Sequence, residues 1–252
     1  MRKTGKGDSR LRYKGEQMKF KFVIATGKSD GTKLPIHDFL GNVKHDGIEV
    51  ELDIHYDNTS GLPNVYNKAI DSSTDFEVIA FVHDDIHIRD CEFFQHIILT
   101  MNMGADVIAA VGSTFYGVPQ GFDIDHQPLI WTKAACGHPC SGFMLHTIRD
   151  KQGNNTNLVF PSSYGVAPQQ ILVSDGCFMC FTKKAIQSGL RFDTNLRFHW
   201  YDIDCSLHAN KLGLKMMTAP ILLQHESMGQ SMVQPEFMEA QKYVLNKWMN
   251  KL

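Results

Sequence analysis

Four short stretches of the chain hold side chains that could do chemistry together. His83-Asp84-Asp85-Ile86-His87 follows the apolar run Phe76 to Val82, and Ser174-Asp175-Gly176 precedes the apolar run Cys177 to Phe181. Phe198-His199-Trp200-Tyr201-Asp202-Ile203-Asp204 and Gln224-His225-Glu226-Ser227 come later. Adjacent carboxylates such as Asp84 and Asp85 repel, so they need a cation or a solvated position. Oxygen ligands with one or two imidazoles suit a divalent ion such as Mn²⁺ or Mg²⁺. On an extended chain Asp85 and His87 point to the same side, so Asp-x-His reads as half a metal site. A solvated turn after a strand is the other reading, and these residues alone leave both open. Asp202 opens a helical stretch, where a carboxylate taken alone reads as an ordinary helix-start acid kept ionised by the macrodipole.

Positioning these groups falls to alternating strands and helices. Lys19 to Thr26 reads as a first strand ended by Gly27, and Val50 to His55 as a second, stopped by Asp57-Asn58-Thr59-Ser60-Gly61. A short helix over Pro63 to Ile70 starts on proline. Phe76 to Val82 has the unbroken apolar character of a strand buried on both faces, so Asp84 and Asp85 belong at its carboxyl end, where open α/β sheets bind ligands. Asp90 is placed to cap a helix carrying Phe93, Phe94, Ile97, Ile98 and Met101 at helical spacing. Asp106 to Gly112 reads as one strand. Strand and helix so alternated make a mostly parallel sheet covered by helices.

From Ser113 to Gln170 periodicity fades among Gly, Pro, Asn and His residues; a long irregular stretch of that kind suits a lid or an acceptor-binding segment. Order returns with Ile171 to Thr182, a short helix ended by Gly189, and a helix over Tyr201 to Leu212 stopped by Gly213. Leu214 to Leu223 is extended around Pro220. Pro235 opens a terminal amphipathic helix through Phe237, Val244 and Trp248.

The chain has 252 residues, 43% apolar and 21% charged, which fits one sizeable globular domain. A net charge of −2 gives no broad basic surface for nucleic acid or anionic lipid. No run approaches the roughly 18 apolar residues of a membrane span, and the basic stretch Met1 to Gln17 has no apolar segment behind it to make a secretory signal. Residues 1–17 are expected to be a disordered tail, 18–233 the domain, 234–252 a helix packed on it, and residence cytoplasmic. Of six cysteines, Cys136 and Cys140 form one close pair and Cys177 and Cys180 another. The second pair lies on a strand, where residues three apart face opposite ways, so reduced buried thiols are expected rather than structural zinc.

Taken in order, His83-Asp84-Asp85, Asp175-Gly176, Tyr201-Asp202-Ile203-Asp204, Gly213 and His225 resemble the motifs of GT-A glycosyltransferases, specifically the family-2-like inverting group, over about Lys19 to Gly229. The resemblance implies a three-layer α/β/α sandwich with a mostly parallel central sheet. It also implies transfer of a sugar from a nucleotide-sugar donor, a UDP-sugar first, to a glycan or other hydroxyl acceptor with Mn²⁺ or Mg²⁺. By position, Asp85 resembles the principal metal carboxylate and His225 a second ligand, and His87 matches the Asp-x-His of some members. Asp57 corresponds to the carboxylate that recognises uracil, and Thr26, Asn67 and Asp84 to contacts with nucleotide or ribose. Asp175 and Gly176 would border the donor sugar, and His199 and Trp200 could pack against sugar, with core packing an equal reading for Trp200. Asp202 matches the catalytic base, whereas Asp204 faces elsewhere on the helix and reads as structural. His83 departs from the pattern, since aspartate is usual there. That departure is the warning sign of a non-catalytic GT-A-like binding protein. A nucleotidyltransferase is the other rival, though Gly27-Lys28-Ser29-Asp30-Gly31 is only a faint phosphate loop.

Overall fold

The computed structural model describes residues 18–43, 47–73, 75–114, 140–226 and 234–248. Three parallel strands open the fold: β1 (Met18–Ala25), β2 (Ile48–His55) and β3 (Val78–Val82). β1 lies between the other two, with Phe20 beside Val50 and Val78. Helix α1 (Pro35–Asn42) follows β1, and α2 (Leu62–Ser72) connects β2 to β3. All five residues of β3 are buried, as its unbroken apolar sequence requires of a central strand. The sheet continues through β11 (Phe178–Thr182), β5 (Val107–Ala109), β12 (Met216–Thr218) and β9 (Gln170–Ile171). β11 runs antiparallel to both neighbours, while β5 and β12 run with β1 to β3. The result is a seven-stranded mixed sheet in which five strands share one direction.

A second, smaller sheet has the order β10 (Val173–Ser174), β6 (Val111–Ser113), β7 (Cys140–Arg149), β13 (Leu223–His225) and β4 (Ile86–Ile88). β8 (Asn155–Gly165) pairs with β7 alone.

Side chains alternate across the large sheet and build a core on each face. Phe20, Phe22, Ile24, Val78 and Ala80 pack with α1 and with α3 (Phe93–Asn102), through Phe39, Phe93, Phe94 and Ile97. Phe20 and Phe94 meet edge to face at 5.3 Å, one of the favoured aromatic geometries. On the other face Val23, Ala25, Ile79 and Phe81 pack with Val65, Tyr66 and Ile70 of α2. The same cluster takes in Ala185 of α4 (Lys183–Gln187), Ile203 and Leu207 of α5 (Tyr201–Lys211), and Val244 and Trp248 of α6 (Pro235–Trp248). Each large apolar side chain so buried stabilises the fold by about 1.5–3 kcal/mol before entropy is counted.

Three sequence expectations need correcting. Asp106 to Gly112 is not one strand: it breaks at Ala110 and passes from the large sheet (β5) to the small one (β6). The stretch from Ser113 to Gln170 is not irregular throughout, because residues 140–165 form the long β7–β8 hairpin; residues 115–139 lie outside the described residues. Asp90 does not cap α3, which begins at Phe93; its carboxylate takes the Glu92 amide just ahead of the helix and the His96 ring inside it. The expected tail over 1–17, the last four residues and Cys136 are also outside the described residues. Cys140, Cys177 and Cys180 are buried, the last two as free thiols, and burial pushes the Cys177 and Cys180 thiols upward. No helix among the described residues is long and apolar enough to cross a membrane.

Candidate active site

Parallel pairing brings the carboxyl ends of β1, β2 and β3 to one edge of the large sheet. β11 runs the other way, with Phe178 beside Val82. Its entering turn, Asp175-Gly176-Cys177, therefore arrives at that same edge, where Cys177 O accepts the His83 amide at 3.0 Å. The small sheet supplies His225, beside Ile86 in β4 and His146 in β7. The Asp85 carbonyl accepts the Glu226 amide at 3.2 Å and ties the two sheets at this point.

His83, Asp85 and His225 converge, with one possible ligand atom from each inside 4.8 Å of the others. His225 Nε2 lies 3.3 Å from Asp85 Oδ1. Burial alone would lower the His225 pKa, but the adjacent Asp85 carboxylate raises it; the same pairing holds Asp85 low against its own burial. Burial and the neighbouring His225 keep His83 low, so its ring is neutral. The Tyr201 hydroxyl donates to Gly176 O at 2.7 Å and lies 2.8 Å from His83 Nε2. With its single proton committed, Tyr201 accepts from His83 Nε2–H, and His83 Nδ1 is left as the lone-pair nitrogen.

These residues fit a divalent cation. Asp85 Oδ1 is buried, and its 3.3 Å contact with His225 Nε2 is an ion pair that does not satisfy it as a hydrogen bond, which is unusual for a carboxylate oxygen. Two imidazoles and one carboxylate form a ligand set suited to first-row transition ions and softer than Mg²⁺ prefers. His83 would thus be a ligand, although the sequence singled it out only as a departure from pattern.

Asp202 stands in the first turn of α5, half-buried. Its Oδ2 accepts the Gly176 amide at 2.8 Å and its Oδ1 the Ile203 amide at 2.9 Å. The expectation of a fully ionised helix-start acid does not hold. Burial and the nearby Asp175 charge push its pKa up to about 7, more than these amides offset. Asp175 itself accepts the Cys177 amide at 2.8 Å. Gly176 is required here: a Cβ would lie 2.5 Å from Tyr201 Oη and 2.8 Å from Asp202 Cβ. Trp200, just before the helix, takes a left-handed backbone (φ 63°), a conformation costly for an aromatic residue and concentrated at functional sites.

On the opposite side of the triad, the Thr26 hydroxyl donates to Asp84, and Lys28 Nζ lies 3.4 Å from the same carboxylate. Asp57 is exposed beside them, with φ 49°. Its amide bonds Lys28 O at 2.9 Å, and that of Asn58 bonds Thr26 O at 2.8 Å. Thr26, Asp57 and Asp84 thus sit together at the ends of β1, β2 and β3. Lys28 and Tyr201 join the site without having been picked out in the sequence. Lys28 could have been found as the cation of the faint phosphate loop, and Tyr201 as the first residue of the Tyr201-Asp202-Ile203-Asp204 motif.

Two expected residues are not brought in. The chain turns at Asp84-Asp85, with the Ile86 amide on His83 O at 3.3 Å, so the extended geometry that aligned Asp85 with His87 is lost. His87 instead bonds Glu226 at 2.8 Å, and Glu226 takes Asn155 of β8 at 2.7 Å. Asn67 uses both ends of its amide on the Phe192 main chain, at 2.8 and 3.0 Å. His199 is half-buried, its ring 5.1 Å from Phe198 and 5.5 Å from Phe237 of α6. Asp204 is buried and bonded to Lys247 and Trp248 of α6, both at 2.7 Å.

No protein-family model matches the sequence, and no curated protein matches it. Among solved structures the chain is similar to GalNAc-T7 determined with UDP, GalNAc and Mn²⁺, with a TM-score of 0.57, 9% identity and 95% of this chain covered. It spans about half of that protein, 49% of its length. It is more loosely similar to A197 from STIV (TM-score 0.48, 14% identity, 83% of this chain and 86% of that one). TarS 1–349 from S. aureus stands likewise (TM-score 0.47, 14% identity, 93% of this chain and 67% of that one). At such identity the likeness to GalNAc-T7 speaks to the fold alone: the chain has a mixed α/β fold similar to that protein's.

Proposed function

We propose that this chain is an inverting GT-A glycosyltransferase that moves a sugar from a UDP-sugar to a hydroxyl acceptor with the help of a divalent cation. One observation carries the reading: the His83, Asp85 and His225 cluster and the Asp202–Gly176 contact meet at a single edge of the sheet. The UDP and Mn²⁺ bound by GalNAc-T7, a protein of similar fold, lend support. Residues 18–233 would form the catalytic unit, with the helix after it packed alongside.

Asp202 removes the proton from the acceptor hydroxyl. That oxygen forms a bond to the anomeric carbon as the bond from this carbon to the diphosphate oxygen breaks, and UDP leaves with the electron pair. A pKa of about 7 suits the step, because a general base works best when its pKa lies near the working pH. His83, Asp85 and His225 would hold the cation, which when bound would supply Lewis-acid stabilisation of the charge that the leaving group gains. Two imidazoles make Mn²⁺ a better occupant than Mg²⁺. Thr26, Asp57 and Asp84 face the nucleoside, and Asp175 with Gly176 borders the donor sugar. Calorimetry with UDP tests the reading: binding should require Mn²⁺, and UDP that binds equally well in EDTA would sink it.

A further inference from the structure

A second cleft, of about 540 Å³, runs between residues 195–199 and α6. Asn195, Phe198, His199, Glu236, Glu239 and Tyr243 form its working surface. It begins at the triad: the Phe198 ring stacks on His83, centroids 5.8 Å apart and planes 25° from parallel. Phe198 remains 49% exposed and Tyr243 38% exposed, so aromatic surface is offered at both ends. Tyr243 is held in place through its hydroxyl, by Asp193 at 2.9 Å and Asn195 at 3.1 Å.

The cleft is acidic. Glu236 and Glu239 are exposed and their carboxylates only accept hydrogen bonds. They outnumber Arg197, the cationic side chain among the described lining residues, whose Nη2 donates to the Thr59 carbonyl, outside the cleft. Lys247 is engaged by Asp193 and Asp204. Burial lowers the His199 pKa and so keeps that ring uncharged.

Rings in a concave site with a few placed polar groups are the usual make-up of a small-molecule pocket. Here the rings suit the C–H faces of a pyranose, and the two carboxylates suit its hydroxyl or amino donors. An anionic group would meet like charge. We infer that this cleft holds the acceptor, and that the acceptor is a saccharide that is neutral or amine-bearing rather than phosphorylated or uronic. The inference rests on transfer taking place at the triad and Asp202, because Phe198 links the cleft to that site.

The test is saturation-transfer NMR on the full chain with UDP and Mn²⁺. The probes are neutral disaccharides such as cellobiose, the di-glucosamine chitobiose, and the 6-phosphate of cellobiose. Neutral and amine-bearing sugars should give signals at millimolar concentration and the phosphate none. Tyr243→Ala should weaken binding by about tenfold. The exposed Glu239→Lys, which leaves the packing intact, should shift preference toward the phosphate. The inference is overturned if the phosphate binds wild type as well as cellobiose does, if no neutral or amine-bearing sugar binds, or if Glu239→Lys leaves the preference unchanged. UDP titrations of the same samples keep the two ideas apart. Loss of Mn²⁺-dependent UDP binding in the wild type would remove the transferase reading, while the NMR result still judges the cleft.

Discussion

The Asp202 carboxylate accepts the Gly176 main-chain amide at 2.8 Å, while the Tyr201 hydroxyl, one residue before it, donates to the carbonyl of the same glycine at 2.7 Å. Both polar groups of one peptide residue are thereby held by consecutive side chains of α5. The turn that leads into β11 and the start of the helix move as one piece, which fixes Asp202 relative to Asp175 and, through Tyr201, to His83.

Gly176→Ala should break this clamp. The added carbon must displace Tyr201 and Asp202 from contacts under 3 Å, at a cost of about 1–3 kcal/mol for an overpacked site. Urea unfolding should show that loss, and sugar transfer should fall with it. Wild-type stability in Gly176→Ala would mean that the clamp is slack.

Asp202→Asn removes the base with little change of shape, at the loss of one of its two amide acceptors. Loss of a general base costs about 10²- to 10⁴-fold, so transfer should drop by that order with UDP affinity nearly unchanged. Wild-type transfer should itself rise as pH passes through about 7, where the carboxylate ionises. Stability runs the other way. A folded-state pKa above the unfolded value contributes stability that is full below the unfolded pKa and lost as pH rises through about 7. The wild-type unfolding free energy should therefore decline between pH 4 and 8, by at most about 4 kcal/mol from this group, and Asp202→Asn should remove that decline. Parallel pH–stability curves for the two proteins would show that Asp202 is already ionised in the fold.

The ligand set is tested one residue at a time by Mn²⁺ titration. Asp85→Ala should abolish Mn²⁺-dependent UDP binding, and His83→Ala and His225→Ala should each weaken it. His87→Ala should leave Mn²⁺ affinity at the wild-type level, because its ring is bonded to Glu226. A result in which His87 matters and His83 does not would reverse the assignment.

Asp204 is expected to matter for the stability of α6 and not for UDP binding. It is buried and joins α5 to α6 through Lys247 and Trp248. Lys247→Ala leaves that carboxylate without its cation, a change of about 3–5 kcal/mol for a buried pair. Hydrogen exchange should show residues 235–248 opening first, with UDP affinity retained.

The parts legible in the sequence are those where a single physical demand shapes a run of residues. β3 is apolar throughout because it is central, and the carboxylates at its end stand out for that reason. Pro63, Gly189 and Gly213 mark helix ends through backbone geometry that holds in any surroundings. The β7–β8 hairpin was hidden because β8 is exposed along most of its length: Leu158, Val159 and Phe160 face solvent, so no alternation betrays the strand. The break at Ala110 is equally silent, since residues on both sides of it are buried and apolar. At the site, the approach of His83, Asp85 and His225 depends on two sheets meeting, which no local spacing records. The turn at Asp84-Asp85 rotates His87 away by the same kind of tertiary choice.

The most direct test is to incubate the protein with a panel of nucleotide sugars, with Mn²⁺ or with EDTA, and to measure free nucleotide released. Mn²⁺-dependent release of UDP from at least one UDP-sugar, absent in Asp85→Ala and sharply reduced in Asp202→Asn, is the expected result. Release that is indifferent to metal and to Asp85, or UDP that binds with no turnover of any donor, would contradict a metal-assisted transferase.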